Sequence, residues 1–126
     1  MLYKPNALDK NCAARQTLDL IADKWSVLLI YALADGTRRY SELNRMIEGI
    51  TPKMLTQTLR RMETSGIVYR MVYPVSPPKV EYSLTALGKT LIVPLTALCR
   101  WSEEHAREVE NLQQNLFMLE RSRAEL

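Results

Sequence analysis

Eight lysine and arginine side chains fall between Thr37 and Lys79: Arg38, Arg39, Arg45, Lys53, Arg60, Arg61, Arg70 and Lys79. Only Glu42, Glu48 and Glu63 oppose them, so the local net charge is +5, while residues 1–36 balance at zero and residues 81–126 carry −2. The chemistry open to such a stretch is polyanion binding, in which ammonium and guanidinium groups displace counterions from phosphates. Covalent chemistry is poorly supplied. The chain has one histidine (His105), no glycine-rich phosphate loop, no Cys/His metal spacing and no nucleophile elbow. It therefore reads as a non-enzyme, with no cofactor and no metal ion.

Those cations need elements to hold them. Asp9 or Asn11 can cap a first helix running to about Ala22, with Leu18, Ile21 and Ala22 toward the core. Asp23 can cap a second, Lys24 to Ala34, which is apolar nearly all round (Trp25, Val27, Leu28, Leu29, Tyr31, Leu33) and hence central. Ser41 is placed to cap a short helix, Glu42 to Ile47, with Leu43, Met46 and Ile47 on one face. After a Glu48-Gly49 turn, Thr51 and Pro52 open a helix to about Ser65 that repeats Leu55, Leu59 and Met62. Two short helices joined by a glycine turn make a helix-turn-helix.

Ile67 to Tyr73 and Val80 to Leu84 suit two strands of a hairpin, with Pro74, Pro77 and Pro78 at its tip; a hairpin in this place is a wing. The four glycines, Gly36, Gly49, Gly66 and Gly88, read as punctuation at helix boundaries. Thr85 then caps a long final helix. Leu91, Leu95 and Leu98, then Val109, Leu112, Leu116 and Leu119, recur at 4-3 spacing, with Ser102 and His105 in the same register between them. That seam needs a partner helix, and a second copy is the economical source. Pro94 is expected to bend or break the helix.

The fold class is thus mainly α with a small β-hairpin (α+β). At 126 residues it is one winged helix-turn-helix domain, with a DNA-reading module at about 37–85 and a dimerisation seam in the C-terminal part, about 86–126. The longest apolar run, Trp25 to Ala34, is too short for a membrane span, and the N-terminus has no signal-peptide core. The expectation is a cytoplasmic protein with no membrane partner, whose two cysteines, Cys12 and Cys99, stay reduced by default.

With the wing in view, the chain resembles the HxlR family, a branch of the MarR-like winged-helix transcription regulators. The resemblance rests on LDLIADKWSVLLIYAL, RRYSELNRMIEGITPKMLTQTLRRMETSGIV, YPVSPPKVEYSLTALG and LCRWSEEH, and spans about Cys12 to His105. It implies a homodimer on double-stranded DNA, with N- and C-terminal dimerisation helices, at about 1–22 and 86–126, joined across the dimer and each recognition helix in a major groove. It also implies control of a neighbouring operon, often in oxidative, electrophile or xenobiotic stress, with a small-molecule effector in some cases. The alternative is a winged helix used as a protein-interaction module without sequence-specific DNA binding.

On the recognition helix, Lys53, Thr56, Gln57 and Arg60 lie opposite the core stripe. Lysine suits guanine or phosphate, Gln57 can read adenine through two hydrogen bonds, and Thr56 can meet a thymine methyl; a solvated polar face is the bland reading. Arg38, Arg39, Tyr40 and Ser41 lie where the family begins the motif's first helix, a place for a phosphate clamp, or else for surface ion pairs to Glu42 or Asp35. Lys79 at the wing tip is a minor-groove or phosphate candidate. Arg61, beside Glu63, suits a structural role. Cys12, near a helix start and between Lys10 and Arg15, is either a redox sensor or a small half-buried hydrophobe at a dimer interface. Cys99 suits core packing, and a disulfide with Cys12 across the dimer stays open. The expected dimer interface comprises Leu91, Leu95, Leu98, His105, Val109, Leu112 and Leu116. His105 there suits a structural hydrogen bond, and Trp25 and Trp101 suit packing.

Overall fold

Asp23 sits in extended backbone, and its carboxylate accepts the Ser26 amide at 3.0 Å, capping the central helix in a computed structural model that describes residues 8–125. The elements run α1 (Ala13–Ile21), α2 (Lys24–Leu33), β1 (Arg38–Arg39), α3 (Tyr40–Met46), α4 (Pro52–Thr64), β2 (Val68–Tyr73), β3 (Lys79–Leu84), α5 (Ala86–Lys89) and α6 (Ile92–Ala124). They fall into two compact units, Met1–Ile92 and Val93–Leu126. The winged helix-turn-helix arrangement is therefore present. No helix of the described residues is long and apolar enough to cross a membrane.

The core of the first unit is built from the stripes that the periodicity marks. Leu29, Ile30 and Leu33 of α2, Leu43 of α3, Leu55, Leu59 and Met62 of α4, and Ile67, Val68 and Leu84 around the sheet are all buried. Each such side chain contributes about 1.5–3 kcal/mol relative to leaving it in water. Thr51 accepts the Met54 amide at 3.1 Å and Pro52 follows it, so α4 starts where its sequence says it must.

The expectations need correction in several places. No residue of α1 is buried: Leu18 is 49% exposed and Ile21 half-buried, so its apolar face does not meet the chain's core. The residue before α1 is Cys12, not Asp9 or Asn11. At α3 the cap position belongs to Arg39, two positions earlier than Ser41, because the Glu42 carboxylate accepts the Arg39 amide at 3.1 Å and holds Tyr40 in the first turn. The wing has a third strand. β1 pairs antiparallel with β3, in the order β1-β3-β2, which places Tyr82 between Arg38 and Arg70 in one cross-strand row. A two-residue strand carries too little alternation to be seen beforehand.

The long terminal helix is divided. Thr85 caps only the short α5, accepting the Gly88 amide at 3.0 Å, and α6 starts at Ile92, which leaves Leu91 in the connection rather than in the seam. Pro94 does not break α6, because it is the third residue of the helix, where an amide has no partner to lose. Gly88 is not a boundary marker. It is buried within α5, where a Cβ would collide with the Ile67 carbonyl oxygen, so only glycine lets α5 lie against the start of β2.

Candidate nucleic-acid interface

The buried stripe of α4 decides which of its side chains face solvent. Leu55, Thr58, Leu59 and Met62 point inward, and Thr58 turns its hydroxyl back onto the Met54 carbonyl at 2.7 Å. Lys53, Gln57 and Arg60 are exposed on the opposite face, and Thr56 is half-buried at its edge. This is the arrangement that a groove-reading helix requires: a rigid apolar backing and a polar row of donors.

Tyr40 connects the two helices of the motif. Its hydroxyl donates to the Pro52 carbonyl at 2.9 Å and lies 3.2 Å from the Thr56 hydroxyl. The side chain thereby pins the start of α3 to the first turn of α4. Arg39 and Ser41 are exposed beside it, and Arg38 is half-buried, reaching Glu42 at 3.6 Å. The Arg38 Nε is buried without a hydrogen-bond partner among the described residues.

The eight cations of this region differ in how far they are neutralised. Arg38 pairs with Glu42, Arg61 with Asp23 at 2.7 Å, and Lys79 with Glu81 at 2.9 Å. Arg39, Arg45, Lys53, Arg60 and Arg70 have no carboxylate within ion-pair distance among the described residues.

Lys79 is not at the wing's tip. It opens β3 opposite Tyr73, with its ammonium over the Tyr73 ring at 5.0 Å, and the Tyr73 hydroxyl donates to the same Glu81 carboxylate at 3.2 Å. The hydrogen bond from Lys79 holds the Glu81 carboxyl below its usual range. The tip itself, residues 74–78, carries no charged side chain.

Arg61 has the structural role foreseen for it, in a definite form. Its guanidinium donates to both the Asp23 carboxylate and the Ser26 hydroxyl, joining the recognition helix to the cap of α2. Burial pushes the Asp23 carboxyl up, but the Ser26 amide and hydroxyl and the Arg61 charge together outweigh it and hold it below the usual value. Two residues on the same face, Arg70 and Tyr82, were not foreseen as site residues. Their cross-strand register is the only signal that brings them there, and it depends on strand pairing rather than on residue type.

Elsewhere, both thiols are free and half-buried. Cys12 stands immediately before α1, its carbonyl accepting the Arg15 amide at 3.1 Å. Burial, with Glu103 nearby, raises the Cys99 thiol pKa. On α6, His105 stacks on Trp101 with centroids 4.9 Å apart, and its Nδ1 lies 2.9 Å from the Trp101 carbonyl oxygen, a bond within one helical turn. Trp25 lies half-buried under the Lys24 ammonium, 4.3 Å from its ring centroid. Leu98, Val109, Leu112, Leu116 and Leu119 are exposed along α6, and only Leu95 of that helix is buried.

Comparison with known proteins agrees with this geometry. The family profile described as HxlR-like helix-turn-helix matches residues 20–110. An uncharacterized HTH-type transcriptional regulator of Methanothermobacter thermautotrophicus is 46% identical over 100 residues, covering 79% of this chain and 76% of that protein. Among solved structures, one assigned as the transcriptional regulator ytfH from Salmonella typhimurium superposes with a TM-score of 0.79 at 39% identity, over 88% of this chain and 99% of that one. The redox regulator HypR in its reduced form gives a TM-score of 0.73 at 42% identity, over 79% and 99%. A winged helix whose recognition helix exposes Lys53 and Arg60 without ion-pair partners among the described residues, matched along most of its length by such regulators, places the chain in the HxlR-like helix-turn-helix family of DNA-binding transcriptional regulators.

Proposed function

We propose that the protein is a cytoplasmic, non-catalytic homodimer that binds an inverted-repeat operator, each copy presenting α4 to one major groove. The observation that carries this reading is the exposed row Lys53, Gln57 and Arg60, set opposite a fully buried stripe and free of carboxylate partners among the described residues. Gln57 supplies the base-reading amide. Lys53 and Arg60 supply charge, and Arg38, Arg39 and Ser41 supply backbone contacts beside them. Thr56 and Tyr40 act mainly by fixing the α3–α4 geometry, since their hydroxyls are within hydrogen-bond distance of each other.

Two half-sites one helical turn apart need recognition helices about 34 Å apart. The exposed apolar faces of α1 and α6 supply the dimer surface that sets this spacing. Cys12, half-buried immediately before α1, is the candidate redox group, in keeping with a relative described as a redox regulator. Oxidation there would alter the dimer edge and hence the spacing, which is control by geometry.

The test is a gel shift on the gene's own upstream DNA and on random DNA at two salt concentrations. Tighter binding to the upstream DNA supports the reading, and equal affinity for both overturns sequence specificity. Repeating it after diamide, then after a reductant, tests Cys12. Reversible loss or gain supports a redox switch, and unchanged affinity removes it.

A further inference from the structure

A cleft of about 280 Å³ opens between the recognition helix and the wing. Its polar walls are Tyr40 from the start of α3, Thr56, Arg60 and Glu63 from α4, and Arg70 and Tyr82 from adjacent strands. Arg70 and Tyr82 are register partners, so both side chains stand on one face of the sheet. Arg60 and Arg70 have no ion pair among the described residues, and a single carboxylate, Glu63, stands against the two guanidiniums. The Tyr82 hydroxyl has no hydrogen-bond partner among the described residues, whereas that of Tyr40 is committed to the Pro52 carbonyl. The cleft thus offers two planar forks of N–H donors and a free phenol, with a net positive charge.

We infer that this cleft takes one phosphate of the DNA backbone, its two non-bridging oxygens held between Arg60 and Arg70, with the Tyr82 hydroxyl donating to one of them. This rests on the DNA-binding reading and deepens it. A base edge is neutral and would leave two guanidiniums uncompensated, whereas a phosphodiester matches both their charge and their fork geometry. Arg60 thereby contacts backbone, and Gln57 and Lys53 are left as the groove-facing residues of α4. A phosphate fixed between helix and wing sets the register of α4 along the groove, since backbone contacts position while base contacts specify. Glu63 opposes the phosphate and keeps the grip weak, which favours a regulator that must leave its site.

The test measures affinity of the full chain for its upstream DNA and for random DNA across about 50–200 mM salt. For Arg70→Gln we expect weaker binding to both DNAs alike and a salt slope smaller by about 0.9 per engaged cleft. The deficit against wild type then narrows roughly threefold across that range for each cleft. Glu63→Gln moves the other way, tightening binding to both DNAs. Thermal melting checks that each variant is folded, and if Arg70→Gln is not, Glu63→Gln carries the test alone. An unchanged slope and affinity in folded Arg70→Gln, no gain in Glu63→Gln, or a loss confined to the upstream DNA would each overturn the proposal. So would an unchanged slope combined with an Arg70-dependent rise in melting temperature when inorganic phosphate is added to DNA-free protein, which marks a site for a small free oxyanion. Failure of the operator reading is distinguishable: the wild type then binds both DNAs equally, while the slope change on random DNA remains.

Discussion

Helices α4 and α6 carry the same kind of pattern, a leucine stripe at helical spacing, and the chain treats the two in opposite ways. Leu55 and Met62 of α4 are 0% exposed, whereas Leu112 and Leu116 of α6 are 62% and 60% exposed. One stripe is buried within its own unit, and the other is exposed. An amphipathic pattern fixes that a face will be covered, not which molecule covers it. The largest expected effect sharpens this contrast. Leu55→Ala should cost about 2–5 kcal/mol in urea unfolding, by a margin that does not depend on protein concentration. A loss that grows on dilution would mean that α4 is also held by a second copy.

Leu116→Ala should behave in the reverse manner. If α6 is the dimer surface proposed above, the first unit keeps its core while the dimer dissociation constant read by analytical ultracentrifugation rises about 100-fold, because one leucine would be lost from each side of the seam. An unchanged sedimentation coefficient at micromolar concentrations would show that α6 is not the dimer surface. Between these two lies the recognition face, where neither folding nor assembly should respond. Gln57→Ala, exposed and without a hydrogen-bond partner among the described residues, should leave melting and dimerisation as in wild type. It should relax base preference at one position per half-site by about 1–3 kcal/mol in competition binding. Equal loss on upstream and random DNA would sink the base-reading role.

What was legible in the sequence divides along the same line. The local rules hold where a residue's partner is three or four positions away: Asp23 and Thr51 cap their helices, and Leu55, Leu59 and Met62 fill the core. They fail where the partner is distant, and at α3, where Glu42 caps the Arg39 amide and displaces Ser41 from the cap position. β1 exists only because Arg38 and Arg39 pair with Tyr82 and Glu81, more than forty residues on. That pairing, with Arg70 opposite Tyr82, assembles the cleft. Lys79 was legible as a wing cation, but not as one whose charge Glu81 already balances. Leu18 and Ile21 give α1 an apolar face that looks core-directed, and composition alone does not distinguish a core from an interface.

Arg61 shows how the two kinds of region are connected, and its removal is the smallest effect expected. It supplies the one ion pair among the described residues between α4 and the cap of α2, so it bridges the DNA-reading helix and the junction that follows α1. Both partners are more than a third exposed, which limits the pair to about 0.5–1 kcal/mol at pH 7, measured as the stability loss in Arg61→Ala. Its pH dependence has a definite sign. Asp23 has a folded-state pKa below its value of 3.8 in the unfolded chain, so the unfolded state takes up its proton first as pH falls. The stabilisation is complete above about pH 5 and declines as the pH drops through 3.8 toward the lower folded value. The Ser26 amide and hydroxyl remain bonded to Asp23 without Arg61, so the variant should keep part of that decline and lose part. Urea unfolding at pH 7 and at pH 3 therefore should show a smaller gap between wild type and Arg61→Ala at the acid end. A gap that is the same at both values would mean that the Ser26 hydrogen bond, and not the charge on Asp23, is what Arg61 contributes.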